Sequence, residues 1–229
     1  MKTIELLDKL KTKPVFRIQD IERIAYCNQN YAKQILNRLK KRKLIKQITR
    51  NRYTTKDNIF VVASNIVHPS YISFWSASSF LGYTEQITST IQVATTRKSK
   101  PISFEGYKIR FIPIKNYFFG YKKMPTNEGD IFIAEDEKLV IDSLLRPEEL
   151  GNIDEIGNIF ENAKISKEKI TGYLKKIDNL SLTKRAGFLL ERKKSIDISK
   201  EFYLDNNYVL LNPSSKRWKS ISTKWRIKA

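Results

Sequence analysis

The chain has 229 residues, enough for one large domain or two small ones, and its 41% hydrophobic content, with 12 Phe, 11 Tyr and 3 Trp, can fill a sizeable core. No apolar run approaches the roughly 18 residues needed to cross a bilayer, and a single cysteine, Cys27, excludes an internal disulfide. The net charge of +19 is unevenly spread: residues 1–55 hold 15 basic and 4 acidic residues, residues 129–161 hold 2 basic and 10 acidic, and residues 214–229 hold 6 basic and no acid. Such asymmetry favours a polyanion-binding module over uniform solubilising charge. A basic membrane-surface protein is the rival, but no amphipathic helix edged by Trp or Phe with a lysine flank is visible.

The opening residues, Met1 to Lys9, are polar every few positions and do not read as a secretory signal. Together with the lone cysteine, read as a small buried residue near a helix end, they point to the cytoplasm. Thr3 can cap a first helix with Ile4, Leu7 and Leu10 as its buried stripe. Phe16 to Ile18 resembles a short extended piece, and Gln19 to Ala25 a second helix with Ile21 and Ile24 inward. After a turn at Tyr26 to Asn28, residues Asn28 to Lys43 carry Ala32, Ile35, Leu36 and Leu39 at helical spacing. Tyr31, Lys33, Gln34, Asn37, Arg38 and Lys41 occupy the other face, which no acid interrupts. Amides and basic groups are the side chains that read base edges and neutralise phosphates.

Leu44 to Ile48 reads as a strand, Thr49 to Asn51 as a tip and Arg52 to Thr54 as a returning strand. Three short helices followed by a basic hairpin fit a winged helix-turn-helix over residues 1–56. In that reading Asn28, Gln29, Asn30, Lys33, Gln34 and Asn37 enter the major groove beside Tyr31. Arg38, Lys41, Arg50 and Arg52 anchor phosphates, with Asn51 at the hairpin tip. The competing readings are a basic amphipathic surface helix and a surface hairpin with solvated arginines.

Residues 57–229 read as a mixed α/β domain, making the whole chain α+β. Asp57 can cap a helix over Ile59 to Ile66, and His68-Pro69 ends it. Ser70 to Gly82 reads as a helix capped by Ser70 with Tyr71, Phe74, Trp75, Ser78 and Leu81 on one face. Ile91 to Thr95 is strand-like, and Ile102 to Phe104 with Tyr107 to Ile112 reads as a hairpin about Glu105-Gly106. Phe118 to Tyr121 is an aromatic turn, Ile131 to Ala134 an extended piece, and Glu135 to Leu145 a helix. Three further helices are marked by Ile153, Ile156, Ile159 and Phe160; by Ile170, Tyr173, Leu174 and Ile177; and by Leu182, Ala186, Leu189 and Leu190. Tyr208 to Leu211 reads as a strand. The tail carries Lys216, Arg217, Lys219, Lys224 and Arg226 with Trp218 and Trp225. It either grips a nucleic-acid backbone, with Lys216, Arg217 and Lys219 as secondary contacts, or packs its tryptophans on the core and leaves its charges solvated.

Several motifs occur in a fixed order: Tyr71-Ile-Ser-Phe-Trp-Ser-Ala77, Gly82-Tyr-Thr-Glu-Gln86, Val93-Ala-Thr-Thr96, Phe104-Glu-Gly-Tyr-Lys-Ile-Arg-Phe111, Ala134-Glu-Asp-Glu-Lys-Leu-Val-Ile-Asp142 and a closing Lys224-Trp-Arg226. This series resembles the antitoxin and transcriptional-regulator subunit of AbiE-type abortive-infection toxin–antitoxin systems, and the resemblance covers most of the chain. The family's usual Ala-x-Pro-Glu-Lys is here Ala134 to Lys138 without the proline. The resemblance implies an N-terminal winged helix that binds promoter DNA. It also implies a C-terminal domain that assists repression and counters a toxin with a nucleotidyltransferase fold.

Few residues in the sequence are arranged for catalysis. There is no Gly-rich phosphate loop of standard spacing. One His and one Cys cannot assemble an ordinary zinc site. A Ser-His-Asp site would depend on His68 without a Gly-x-Ser-x-Gly turn. Glu135, Asp136, Glu137 and Asp142 form an acidic cluster, yet Leu139 separates Glu135 from Asp142 on their shared helix face. The cluster reads better as a partner surface or an internal match to basic elements. The expectation is therefore a double-stranded DNA-binding repressor that is no enzyme and needs no metal or cofactor. Its partners are duplex DNA and a nucleotidyltransferase-like toxin. The alternatives are a nonspecific chromatin-like protein or an antitoxin acting mainly by neutralisation. No heptad segment is long enough to hold a dimer, so the protein is expected to be a monomer or to pair only on DNA.

Overall fold

The computed structural model describes residues 3–85, 88–151, 153–215 and 217–229. Gln86 and Lys216, singled out above, lie outside them. Helices α1 (Thr3–Lys11), α2 (Ile18–Ala25) and α3 (Gln29–Lys41) are followed by strands β1 (Lys46–Thr49) and β2 (Arg52–Thr54). Each helix contributes one apolar stripe: Leu6 and Leu10 from α1, Ile18 and Ile21 from α2, Ala32, Leu36 and Leu39 from α3. These meet Phe16 and Ile45 in a core built wholly from the first 54 residues. Phe16 and Tyr53 exchange both backbone hydrogen bonds at 2.9 Å, and their rings stack with centroids 6.0 Å apart. The extended piece before α2 thus pairs with β2.

The remaining elements are α4 (Ile59–Ile66), β3 (Ser70–Ile72), α5 (Phe74–Phe80), β4 (Thr90–Thr95), β5 (Ile102–Phe104), β6 (Tyr107–Pro113), β7 (Tyr121–Thr126), β8 (Gly129–Ala134), α6 (Asp136–Leu145), α7 (Ile153–Asn162), α8 (Lys167–Ile177), α9 (Leu180–Lys194), β9 (Val209–Leu210), β10 (Ile221–Ser222) and β11 (Ile227–Lys228). The architecture is α+β. The chain divides into two compact units: Met1–Ile72, Thr88–Asn116 and Lys123–Ile133 in the first, and Ser73–Ile87, Tyr117–Lys122 and Ala134–Ala229 in the second.

In the first unit a six-stranded mixed sheet has the order β5-β6-β4-β3-β8-β7. Strand β4 runs parallel to β6 and antiparallel to β3, and β3 runs parallel to β8. The central strands are apolar on both faces: Tyr71, Ile72, Val93, Ala94, Ile131 and Ile133 are all buried. Edge strand β7 alternates between exposed and half-buried positions and carries Lys122, Lys123 and Pro125, a composition that discourages further pairing.

Three expectations differ from the structure. Ile4 does not belong to the buried stripe of α1: it is 73% exposed, and Leu6 joins Leu10 on the core face instead. Ser70 does not open a helix. Residues 70–72 form the fully buried strand β3, and the helix begins only at Phe74. Both edges of β3 are hydrogen-bonded, and this tertiary pairing overrides a local pattern that suits either state. Nor is Asp57 the cap of α4. The Asn58 side chain accepts from the N–H groups of Phe60 and Val61, while the Asp57 carboxylate pairs with Lys46 at 2.7 Å.

The second unit is mainly helical, with a small sheet of order β10-β11-β9. The Lys138 ammonium and the Asp142 carboxylate, one turn apart on α6, form an ion pair with both side chains fully buried. Ser73 Oγ donates to the second Asp142 oxygen at 2.8 Å, which ties the start of α5 to α6. Trp225 packs on α9, 1% exposed, and its indole N–H donates to Glu191 at 2.5 Å. Gly187 makes that seat, because a Cβ there would overlap the six-membered ring of Trp225.

Gly187→Ala should therefore destabilise the second unit by about 1–3 kcal/mol through overpacking, even though alanine is the better helix former. Thermal unfolding of the variant checks this, and a melting temperature at or above that of the wild type would contradict the packing.

Candidate nucleic-acid interface

The apolar stripe of α3 turns inward, and its opposite face is solvated. Asn30, Lys33, Gln34, Asn37 and Lys41 are exposed at successive helical-turn positions and form one outward row of three amides and two ammoniums. Tyr31 and Arg38 occupy the neighbouring row. There the Arg38 guanidinium lies 5.7 Å from the Tyr31 ring centroid, beside a cavity of about 180 Å³ shared with Leu6, Ala25 and Arg42. Gln29 is exposed. Asn28 is the N-cap of α3, its side-chain oxygen accepting from the Tyr31 N–H at 3.0 Å.

Arg50 is exposed at the hairpin tip, and Arg52, at the start of β2, is half-buried. Asn51, between them, adopts a left-handed backbone with φ 56°. Its side-chain oxygen accepts from the Ile18 N–H at 3.0 Å and its amide donates to Gln19 at 3.2 Å. Asn51 thus fastens the hairpin to the start of α2, and its side chain is occupied in holding Arg50 and Arg52 in place. In the second unit Arg217 and Lys219 are exposed next to Trp218. Two other tail charges are engaged: Lys224 pairs with Glu191 at 2.7 Å and with Asp197 at 2.9 Å, and Arg226 bonds Tyr208 and Asn206.

Tyr26 was not singled out by the sequence. It ends α2 in a left-handed conformation, φ 50° and ψ 50°, and is 94% exposed. Glycine or asparagine is usual at such a position. A bulky residue there carries about 1–2 kcal/mol of strain, yet this ring packs on nothing that would offset it. An aromatic between Ala25 and Cys27 gave no periodic signal, because a left-handed turn takes its side chain off the helix face.

Asp20 is the acid that organises the start of α2. Its carboxylate accepts from the Arg17 N–H at 2.7 Å and pairs with Lys13 and with Arg23. Burial alone would raise its pKa, but the Lys13 and Arg17 hydrogen bonds and the two cationic neighbours outweigh it and hold the carboxyl below its ordinary value.

The acidic segment around α6 is matched internally. Glu135 pairs with Lys169 at 3.1 Å and accepts from the Tyr173 hydroxyl. Asp136 accepts from Tyr83 at 2.6 Å, Glu137 accepts from the Ser166 N–H at 2.9 Å, and Asp142 belongs to the buried pair. Burial raises the Glu135 pKa, but the Tyr173 and Lys169 hydrogen bonds leave it net lowered. Among the described residues, no group of three or more His, Cys, Asp or Glu converges as a metal site, and no helix is long and apolar enough to cross a membrane.

No protein-family model matches the chain, and no curated protein matches it. Among solved structures, the crystal structure of the RV2827C protein from Mycobacterium tuberculosis matches with a TM-score of 0.63 at 13% sequence identity, covering 98% of this chain and 89% of that one. At that identity the likeness is one of fold.

The Asp20 cluster sets a pH dependence. A carboxylate whose pKa is lowered by folding stabilises the native state above its unfolded pKa, and that contribution is lost as pH falls through the folded value. The first unit should therefore lose stability progressively below about pH 4, and Asp20→Asn should be less stable at neutral pH with a flatter acid limb. Acid titration of the unfolding midpoint checks this. A variant with the wild-type profile would contradict it.

Proposed function

We propose that this chain is a double-stranded DNA-binding transcriptional repressor whose residues 1–56 act as a winged helix-turn-helix. The observation that carries the reading is the exposed, acid-free row Asn30, Lys33, Gln34, Asn37 and Lys41 on α3, backed by a core that the module supplies itself. A helix of 13 residues is about 20 Å long and fits the major groove, where amides pair bidentately with adenine. Arg38, Lys41, Arg50 and Arg52 take the flanking phosphates, and the Asn51 clasp presents the hairpin as the wing. Tyr26, at the entry to α3, packs against the sugar–phosphate backbone.

Residues 57–229 complete the resemblance to the AbiE-type antitoxin and act as the antitoxin-like domain, toward a toxin of nucleotidyltransferase fold. The ordered motifs between Tyr71 and Asp142 support that part of the reading. The place of action is the nucleoid, and two copies meet only on their operator.

Four phosphate contacts correspond to a slope of log affinity against log salt of about −3 to −4. The double variant Arg50→Ala/Arg52→Ala should lower affinity for all duplexes alike and reduce that slope by about 2. Electrophoretic or anisotropy titrations across salt measure both quantities, and an affinity for duplex DNA that barely changes with salt contradicts the charge mechanism. Tyr26→Gly should raise stability by up to about 1 kcal/mol by relieving the left-handed strain while weakening duplex binding several-fold. A variant that gained stability with full affinity would remove Tyr26 from the interface. Co-expression with a genetically neighbouring nucleotidyltransferase-like protein tests the antitoxin role, which predicts rescue of growth that depends on residues 57–229.

A further inference from the structure

The second unit contains a cavity of about 520 Å³ that the DNA-binding reading does not use. It lies between α7, α9 and the small β9–β11 sheet. Phe188 and Arg192 line it from α9, Arg217, Trp218 and Lys219 from the segment before β10, and Lys228 from β11. Its size is that of a small-molecule site, and its lining combines two features. The first is cationic. Arg192, Arg217, Lys219 and Lys228 all face it, and none has a carboxylate partner among the described residues, unlike Lys193, which pairs with Glu161 at 2.9 Å. Asp154 is the one acidic side chain among the described lining. The second is aromatic. Trp218 is 46% exposed, the Lys228 ammonium stands 4.7 Å from its ring centroid, and the Arg192 guanidinium stands 5.9 Å from that of Phe188.

The two tryptophans of the tail have opposite fates. Trp225 is sealed under α9 by the missing side chain of Gly187, whereas Trp218 is held at the cavity mouth. The backbone N–H groups of Lys219 and Ser220 donate to the Ala229 oxygen at 2.6 and 2.8 Å and fix the segment in place. A pre-positioned indole beside unpaired cations matches a ligand that is planar and aromatic at one end and multiply anionic at the other.

We propose that this cavity binds a phosphorylated nucleoside, with its base on Trp218, its phosphates on Arg192, Arg217 and Lys219, and Asp154 and Asn158 of α7 within the lining for ribose or base-edge contacts. The same chemistry is offered by a free nucleotide and by the 5′-terminal nucleotide of a single strand. The site goes beyond the duplex-binding reading and does not depend on it.

Titration of the full chain, without divalent metal and at low salt, with ATP and separately with a 5′-phosphorylated tetrathymidylate tests the proposal. Of the three tryptophans, Trp75 and Trp225 are buried, so a base stacked on Trp218 should quench the exposed component of the emission with one-to-one stoichiometry. Calorimetry should show binding at least about tenfold weaker in Trp218→Ala and in Arg217→Ala/Lys219→Ala. The second variant changes only exposed side chains, so it keeps the test valid if the first fails to fold. Duplex affinity, measured in parallel, should be unchanged in Trp218→Ala, which keeps every tail charge and so separates this site from residues 1–56. Preference for ATP over the tetranucleotide, or the reverse, identifies the source of the ligand. The proposal is overturned by any of three results: no saturable binding of either probe, equal binding of inorganic tripolyphosphate and ATP, or undiminished binding by Trp218→Ala.

Discussion

Ala32, Leu36 and Leu39 set the conditions under which the N-terminal region works. They seat α3 on Leu6, Leu10, Ile18 and Ile21, and through the 3.6-residue period they also decide which side chains face water. A rotation of α3 by one residue would bury Lys33 or Asn37 and expose an apolar side chain, at a cost of about 1–3 kcal/mol for each group placed wrongly. Packing thus fixes the aim of the amide row, and no separate device is needed to orient it. The same economy holds at the hairpin. The Phe16–Tyr53 pairing and the Asn51 clasp attach it to the start of α2, so Arg50 and Arg52 keep a defined position relative to α3.

The second unit is held by different means. Its most constrained points are polar or sterically exclusive: the buried Lys138–Asp142 pair with Ser73, and Trp225 pressed on Gly187. A buried ion pair of this kind adds little net stability over an apolar pair, but leaving one partner uncompensated costs about 3–5 kcal/mol, which makes it a strong determinant of how α5 meets α6. The acids of residues 135–142 are taken up by Lys138, Lys169, Tyr83, Tyr173 and Ser73. That uptake keeps the four acids of residues 135–142 from forming a free acidic face.

Much of this was legible in the sequence, and what was not has identifiable causes. Regular helical periodicity located α3 and α6 to α9, and Glu105-Gly106 located the turn between β5 and β6. Strand β3 was hidden because a short aromatic and apolar run satisfies helix and strand alike; only its pairing with β4 and β8 decides. Strand β7 was hidden because an edge strand bearing Lys122, Lys123 and Pro125 lacks the pattern of a half-buried one. At the candidate interface, residue type exceeded what backbone position allows. Asn28 and Asn51 have base-reading chemistry, but a helix cap takes up the side-chain oxygen of Asn28 and the hairpin clasp takes up both ends of the Asn51 amide. Tyr26 is illegible for the converse reason, since its exposure comes from a backbone conformation that a tyrosine rarely takes. The tail offered two tryptophans among similar basic neighbours, and the choice between them rests on Gly187, far away in sequence.

The proposed function depends on α3 presenting its amides to base edges. Its most direct test is selection from a pool of randomised duplexes by the wild type and by Gln34→Ala in parallel. The expected result is a shared motif for the wild type, adenine-containing at the selected positions, and a changed preference at one or two of those positions for the variant. A wild-type pool that emerges without enrichment, or identical motifs from both proteins, would contradict it.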